Sequence, residues 1–427
     1  MNQFNSSLWG DEAWAVTLAV KSLPQIIATV AKDTSPPLYY LLLHCWLQIF
    51  GRSEIAIRSL SFLFFLGTAA AVFLIGKLLW DKKTGLLAAL LTLANPFLFT
   101  YALEGRMYSL LALTTCWSVY FFLKKHRPGF ILATTAALYT HHFAIFIVVF
   151  EGFWALREGI PKRSLLFRRL ADFAPVFLLY LPWLYPLYHQ TSLVGSGFWL
   201  AKPTLSTVSG TVIKLLVGSG RETLRLLALA GFTIVLAARR WAKDKAKSAF
   251  LLAWFWTPLI LTYFISQFFQ SVFYDRYLLI TIPAITLLIA SHRRKVSSLL
   301  LLAAIFLLTF LDCRYFLHPD KRPFRDLADF IKKEAPQLTL INYNAAAHHL
   351  WESKYYGLQA PIYSPQPLPF YTGTALMEKN DVTTTLPVQP IIGIIASSPV
   401  EEVKLNGYHM IKAKQFGQLS LLWMEKN

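Results

Sequence analysis

Between residues 56 and 313 the chain is a near-continuous succession of apolar runs, and no other feature restricts its fold as strongly. The runs are 56–79, 85–103, 107–123, 129–142, 143–156, 171–188, 222–238, 248–268, 277–291 and 296–313. A helix that crosses a bilayer needs roughly 20 apolar residues, with a range of about 17–25, and most of the runs meet that length or nearly do. Soluble domains carry about 25% charged residues. Here the fraction is 15%, against 55% apolar, too few charges to cover a water-facing surface. The expected fold is an α-helical polytopic membrane protein with about ten spans and the lipid bilayer as its solvent.

A net charge of +18 raises nucleic acid as a partner, but the basic residues sit in short clusters between the apolar runs, as in cytoplasmic loops, and no nucleic-acid partner is expected. The clusters are Lys77/Lys82/Lys83, Lys124/Lys125/Arg127, Arg157/Lys162/Arg163/Arg168/Arg169, Arg239/Arg240/Lys243/Lys245/Lys247 and Arg293/Arg294/Lys295. All five fall on one side if 129–156 crosses twice. Read as one helix, that stretch would set the first two clusters opposite the last three, against the positive-inside rule. Two crossings are therefore expected, and the turn between them carries Thr140-His141-His142, polar groups that cannot face lipid.

Ten crossings put both ends on the extracytoplasmic side of the cell membrane, so a further leading helix, encoded upstream of Met1, is expected. Residues 1–55 form an outer loop with interfacial helices: Pro36 and Pro37 suit a helix start, and Leu41 to Phe50 reads as a helix at the membrane surface. Residues 56–313 form the spanning core. The segment 321–427 is ordinary soluble sequence, with strand-like runs at 338–342, 391–395 and 419–424 and helix-like stretches at 324–334 and 345–356. It reads as a small extracytoplasmic α/β domain. Cys45, Cys116 and Cys313 lie in apolar segments without metal-type spacing and read as core thiols.

In this topology the outer loops hold Asp11/Glu12, Asp33, Glu104/Arg106/Tyr108, His141/His142 and Asp275/Arg276/Tyr277, all at membrane boundaries where charge is costly unless paired or working. These residues carry a resemblance. Trp9-Gly-Asp11-Glu12-Ala13, Asp33-x-x-Pro36-Pro37-Leu-Tyr39-Tyr40, Gly51-x-Ser53-Glu54-x-x-x-Arg58, Pro96 with Glu104-x-Arg106-Met107-Tyr108-Ser109, Tyr139-Thr140-His141-His142 and Asp275-Arg276-Tyr277 with Pro283 follow in order. Together they resemble the GT-C superfamily of polyprenyl-phosphate-sugar-dependent glycosyltransferases, in the branch of protein O-mannosyltransferases and aminoarabinose transferases, as far as about residue 320. Single motifs are weak; their order, spacing and common side make the match specific.

The resemblance implies an inverting transfer of a hexose or pentose from a polyprenyl-phosphate-linked sugar to a hydroxyl of an acceptor protein, lipid or glycan on the extracytoplasmic face. Such chemistry needs a carboxylate to take the acceptor proton and positive charge against the departing phosphate. Asp11 matches the family's catalytic acid; its plainer reading is a solvated helix-capping acid. Glu12 would orient Asp11, touch the acceptor or help hold a divalent metal ion, the one candidate cofactor; His141 and His142 would ligate that metal or contact the phosphate, their plainer reading being histidines at a water-lined helix end. Arg106 and Arg276 are the best phosphate binders, since guanidinium stays charged and presents a planar fork; pairing with Glu104 or Asp275 is the structural alternative. Asp33 is either a site residue or a cap for the following helix. Tyr108 and Tyr277 are substrate-side candidates, though such tyrosines are more often interface aromatics.

The competing function is a transporter, flippase or polymerase of lipid-linked glycans. Transporters place polar residues near the bilayer midplane, on broken helices in repeated halves. Here the middles of the runs are nearly uncharged and the charged groups collect at the outer boundary, which favours a transferase.

Overall fold

Proline decides where several of the apolar runs break. In the computed structural model, which describes residues 1–159, 171–218, 244–293, 298–343, 346–397 and 399–427, the run 85–103 is two helices, α5 (Lys82–Leu93) and α6 (Pro96–Ala102), bent by 64°. Pro96 has no N–H to continue the α5 ladder. Asn95 caps the new helix by accepting from the Leu98 amide at 3.0 Å. The run 171–188 likewise divides at Pro182 into α10 (Phe173–Tyr180), a 3₁₀ turn (Leu181–Trp183) and α11 (Leu184–Gly195). The run 277–291 opens as a 3₁₀ segment, Asp275–Thr281, before α14 (Ile282–Ser291). The predicted span 222–238 lies outside the described residues.

The other elements are α1 (Gly10–Ala19), α2 (Leu23–Ala31), α3 (Leu38–Phe50), α4 (Glu54–Leu79), α7 (Tyr108–Lys124), α8 (Arg127–Thr140), α9 (Ala144–Gly159), α12 (Leu205–Val217), α13 (Lys245–Phe268) and α15 (Ser298–Leu317). Residues 129–156 do form two helices, α8 and α9, separated at His141-His142. Among the described residues, three helices are long and apolar enough to cross a bilayer, within α4, α13 and α15; the bent pair α5 and α6 would make a fourth. The remaining predicted spans that lie within the described residues fall on shorter or broken helices. The protein is a mostly helical membrane protein with a small C-terminal sheet.

The chain divides into two units. The first comprises residues 1–33, 40–57 and 316–427; the second comprises 34–39 and 58–315. In the second, α4 and α5 approach to backbone contact: a Cβ on Gly76 would lie 2.6 Å from the Gly85 Cα, the close small-residue packing that substitutes for a hydrophobic drive inside lipid. Buried hydroxyls pin other pairs, Thr92 to Thr286 at 2.9 Å and Ser118 to Thr134 at 2.7 Å. Ser118 also donates to Glu151 at 2.7 Å, which ties α7, α8 and α9 together. Cys116 is buried, whereas Cys45 and Cys313 are exposed. Only one of the three is the core thiol that its apolar setting suggested; the other two sit on outward faces of apolar helices.

The first unit carries a six-stranded mixed sheet in the order β3-β2-β1-β4-β6-β5. Its strands are β1 (Thr339–Asn342), β2 (Ile362–Tyr363), β3 (Val382–Thr383), β4 (Ile391–Ala396), β5 (Tyr408–Phe416) and β6 (Leu419–Lys426). Strand alternation puts Leu340, Ile395 and Leu421 on one face and Ile341, Ile394 and Leu422 on the other. Helix α16 (Phe324–Glu334) covers the first face with Phe324, Leu327, Ala328 and Ile331, spaced i, i+3, i+4, i+7. Helix α17 (Ala346–Tyr355) follows β1. Sequence alternation reveals β1, β4 and β6 but not β5, which is exposed nearly throughout and carries a bulge between Met410 and Lys412.

Candidate active site

The sequence-predicted residues divide between the units: Asp11, Glu12 and Asp33 in the first, the others in the second. Trp9 takes extended backbone angles and starts α1. The Trp9 amide donates to the buried Glu12 carboxylate at 3.3 Å, half of a capping box. Asp11 and Glu12 both stand in the first turn, where the helix dipole favours negative charge. Glu12 is fully buried and Asp11 is partly exposed, so of the two acids Asp11 is the one that solvent reaches. Helix α3 begins at Leu38, so Asp33 stands five residues ahead of it and Pro37 holds the cap position.

The N-terminus of α1 packs on α17. Trp9 stacks on His348, ring centroids 5.6 Å apart at 19°, and the Lys321 ammonium lies 5.1 Å from the Trp9 ring. A Cβ on Gly10 would lie 2.6 Å from the His348 Cα. Gly10→Ala should therefore lower stability by about 1–3 kcal/mol, the range for an overpacked site, seen as a lower Tm of the purified protein. An unchanged Tm would show that the contact is not tight.

Behind this contact lie three groups that sequence reasoning missed. Arg322 donates to His349 Nε2 at 2.8 Å, and burial, with the Arg322 charge beside it, holds the His349 imidazole down at about 3. Glu352 is fully buried. Burial pushes its carboxyl up to about 8, the positive charge of Arg322 opposing and the negative charge of Glu12 adding to the rise. No motif marks these residues, because α17 looks like an ordinary soluble helix. A second network ties Glu54, at the start of α4, to the same unit. Arg325 donates to it at 3.1 Å and Tyr356 at 2.9 Å, while the Leu8 amide donates to the Tyr356 hydroxyl at 2.9 Å.

In the second unit the 3₁₀ segment presents Arg276 between aromatic hydroxyls. Its guanidinium donates to Tyr108 at 3.2 Å and also to Tyr274, and lies over their rings at 5.6 and 4.5 Å. Asp275 accepts from Lys214 at 2.7 Å and from the Arg276 amide at 2.8 Å. Both its oxygens thus serve other groups than the guanidinium fork. Tyr277 packs against the buried His141 ring at 4.6 Å and against Phe143 at 4.8 Å. His142 Nε2 donates to the Gln190 side-chain oxygen at 2.7 Å. Gln190 in turn donates to the Ser35 carbonyl at 3.3 Å, holding the residues that follow Asp33. The two histidines thus point to different partners, as neighbours must. Glu104 is buried, and the Arg106 carbonyl accepts from Ser61 at 3.3 Å. Tyr39 shares a hydrogen with the same Ser61 hydroxyl at 3.3 Å.

A metal does not fit this donor set. Among the described residues, no three His, Cys, Asp or Glu side chains gather closely enough to hold an ion. His142 Nε2 is engaged with Gln190.

The model of the dolichyl-phosphate-mannose-protein mannosyltransferase family matches residues 34–186. No curated protein matches the chain by sequence. The crystal structure of ArnT from Cupriavidus metallidurans in the apo state superposes with a TM-score of 0.67 at 12% identity, over 98% of this chain and 94% of that one. The chain has the fold of ArnT. The same ArnT bound to undecaprenyl phosphate gives 0.67 at 13% identity, covering 99% and 95%. The Archaeoglobus fulgidus oligosaccharyltransferase in its apo form gives 0.51 at 14%, covering 92% of this chain and 66% of that one. The shared fold includes the C-terminal sheet as well as the helices, since the ArnT superposition runs almost the whole length of both chains.

Proposed function

We propose that the protein is a membrane transferase that moves a sugar from a polyprenyl phosphate to an acceptor hydroxyl on the extracytoplasmic face, with inversion. The observation that carries this reading is Arg276, a guanidinium braced by two tyrosine hydroxyls on a fold that in ArnT accommodates undecaprenyl phosphate. In the reaction the acceptor oxygen attacks the anomeric carbon and its proton passes to Asp11. The bond from that carbon to the phosphate oxygen breaks, and its electron pair leaves on the phosphate, against the charge of Arg276 and Arg106. A phosphate monoester is a good leaving group, so the step needs no strong general acid. Glu12 fixes the first turn of α1 and thereby the direction of Asp11.

The test is to incubate membranes containing the protein with radiolabelled polyprenyl-phosphate sugars and trace the label. Label leaving the lipid for an acceptor supports transfer. Label that stays on the lipid but changes leaflet shows a flippase instead.

The sidedness has its own test. A reporter fused after Lys245 should read cytoplasmic and one after residue 330 extracytoplasmic. Both on one side would refute the ten-span scheme and the outer placement of the acids.

A further inference from the structure

The partner of the α1 acids is α17, a helix from the C-terminal domain, and its buried carboxyl has no role so far. His348 and Glu352 stand one turn apart on α17 and share a face. That face meets α1 where Gly10 leaves no room for a side chain. Glu12 and Glu352 are both fully buried there. Two carboxylates so placed cannot both keep a charge cheaply, and their surroundings differ. Glu12 has the Trp9 amide and the helix N-terminus to stabilise a negative charge. Neither oxygen of Glu352 makes a hydrogen bond of standard geometry, and the Gly10 amide and the charges of Arg322 and Lys321 offset its burial only in part. Arg322 donates to His349, and Lys321 lies over Trp9. A buried carboxylate left so would be costly, and a buried carboxylic acid far less so.

We propose that Glu352 is a positioning residue for the α1 acids: uncharged and packed behind Glu12, it leaves Glu12 the single buried charge and holds the turn that aims Asp11. The C-terminal domain therefore builds part of the active site. This rests on the transfer reading above for its kinetic consequence, though not for the protonation state of Glu352.

Three variants and one spectrum test it. Glu352→Gln keeps the shape of the uncharged acid and should keep kcat and donor KM within about twofold. Glu352→Ala opens space behind Glu12, so per folded enzyme its kcat should fall roughly tenfold or more with donor KM unchanged. A purely structural role would instead lower yield and Tm and leave kcat of the surviving enzyme intact, overturning the proposal. So would a Gln variant as damaged as the Ala variant, because the charge would then be needed. Infrared difference spectra of the intact protein against Glu352→Gln should show the carbonyl stretch of a protonated acid, lost in the variant. This readout needs no activity. Its absence overturns the proposal, and a wild-type protein that shows the band but transfers no sugar refutes the transfer reading alone.

Discussion

Asp11→Asn stops sugar transfer while the protein still binds its lipid donor. The amide keeps the size of the side chain and can still cap the first turn of α1, but it cannot take the proton of the attacking hydroxyl. A general base contributes about 10²–10⁴-fold, and the rate should fall by that order at matched expression. Folding should be spared, because Asp11 is partly exposed and the capping contact to the Trp9 amide belongs to Glu12. Donor binding and transfer are measured side by side on the same membranes. Near wild-type transfer would remove Asp11 as the base and make Glu12 the next candidate, despite its burial.

Arg276→Ala should behave differently, because in the proposed reaction its charge faces the phosphate before and during transfer. Loss of a hydrogen bond to a charged group costs about 1.5–3 kcal/mol, so donor affinity should drop roughly 10- to 150-fold, with turnover falling as well. Arg276→Lys keeps the charge but cannot span the Tyr108 and Tyr274 hydroxyls with one planar fork, and should recover only part of the loss. The pair of substitutions at Asp11 and Arg276 thus separates by donor binding. Equal effects on binding from both would contradict the division of labour between base and phosphate site.

The helical core was legible because long apolar runs mark it, and the His141-His142 turn does separate α8 from α9. The bend at Pro96 was less so, because hydropathy averages over a single missing N–H. The C-terminal domain showed its three buried strands and both helices through periodicity. The edge strand β5 escaped because neither face of Tyr408–Phe416 is covered and alternation carries no signal there. Among site residues, Arg276 stood out as a charge at a membrane boundary. Its tyrosine Tyr274, Lys214 beside Asp275 and the α17 residues behind Glu12 did not, since their roles arise from contacts between segments far apart in the chain.

The pairing of α1 with α17 also sets a timetable for making the protein. At roughly 5–20 residues per second, the helix that receives Gly10 leaves the ribosome tens of seconds after the turn bearing Asp11. During that interval the nascent chain inserts its apolar helices with the acidic turn still lacking its backing. The first turn of α1 is therefore packed only after about four-fifths of the chain has been made, so its order depends on a late-synthesised helix.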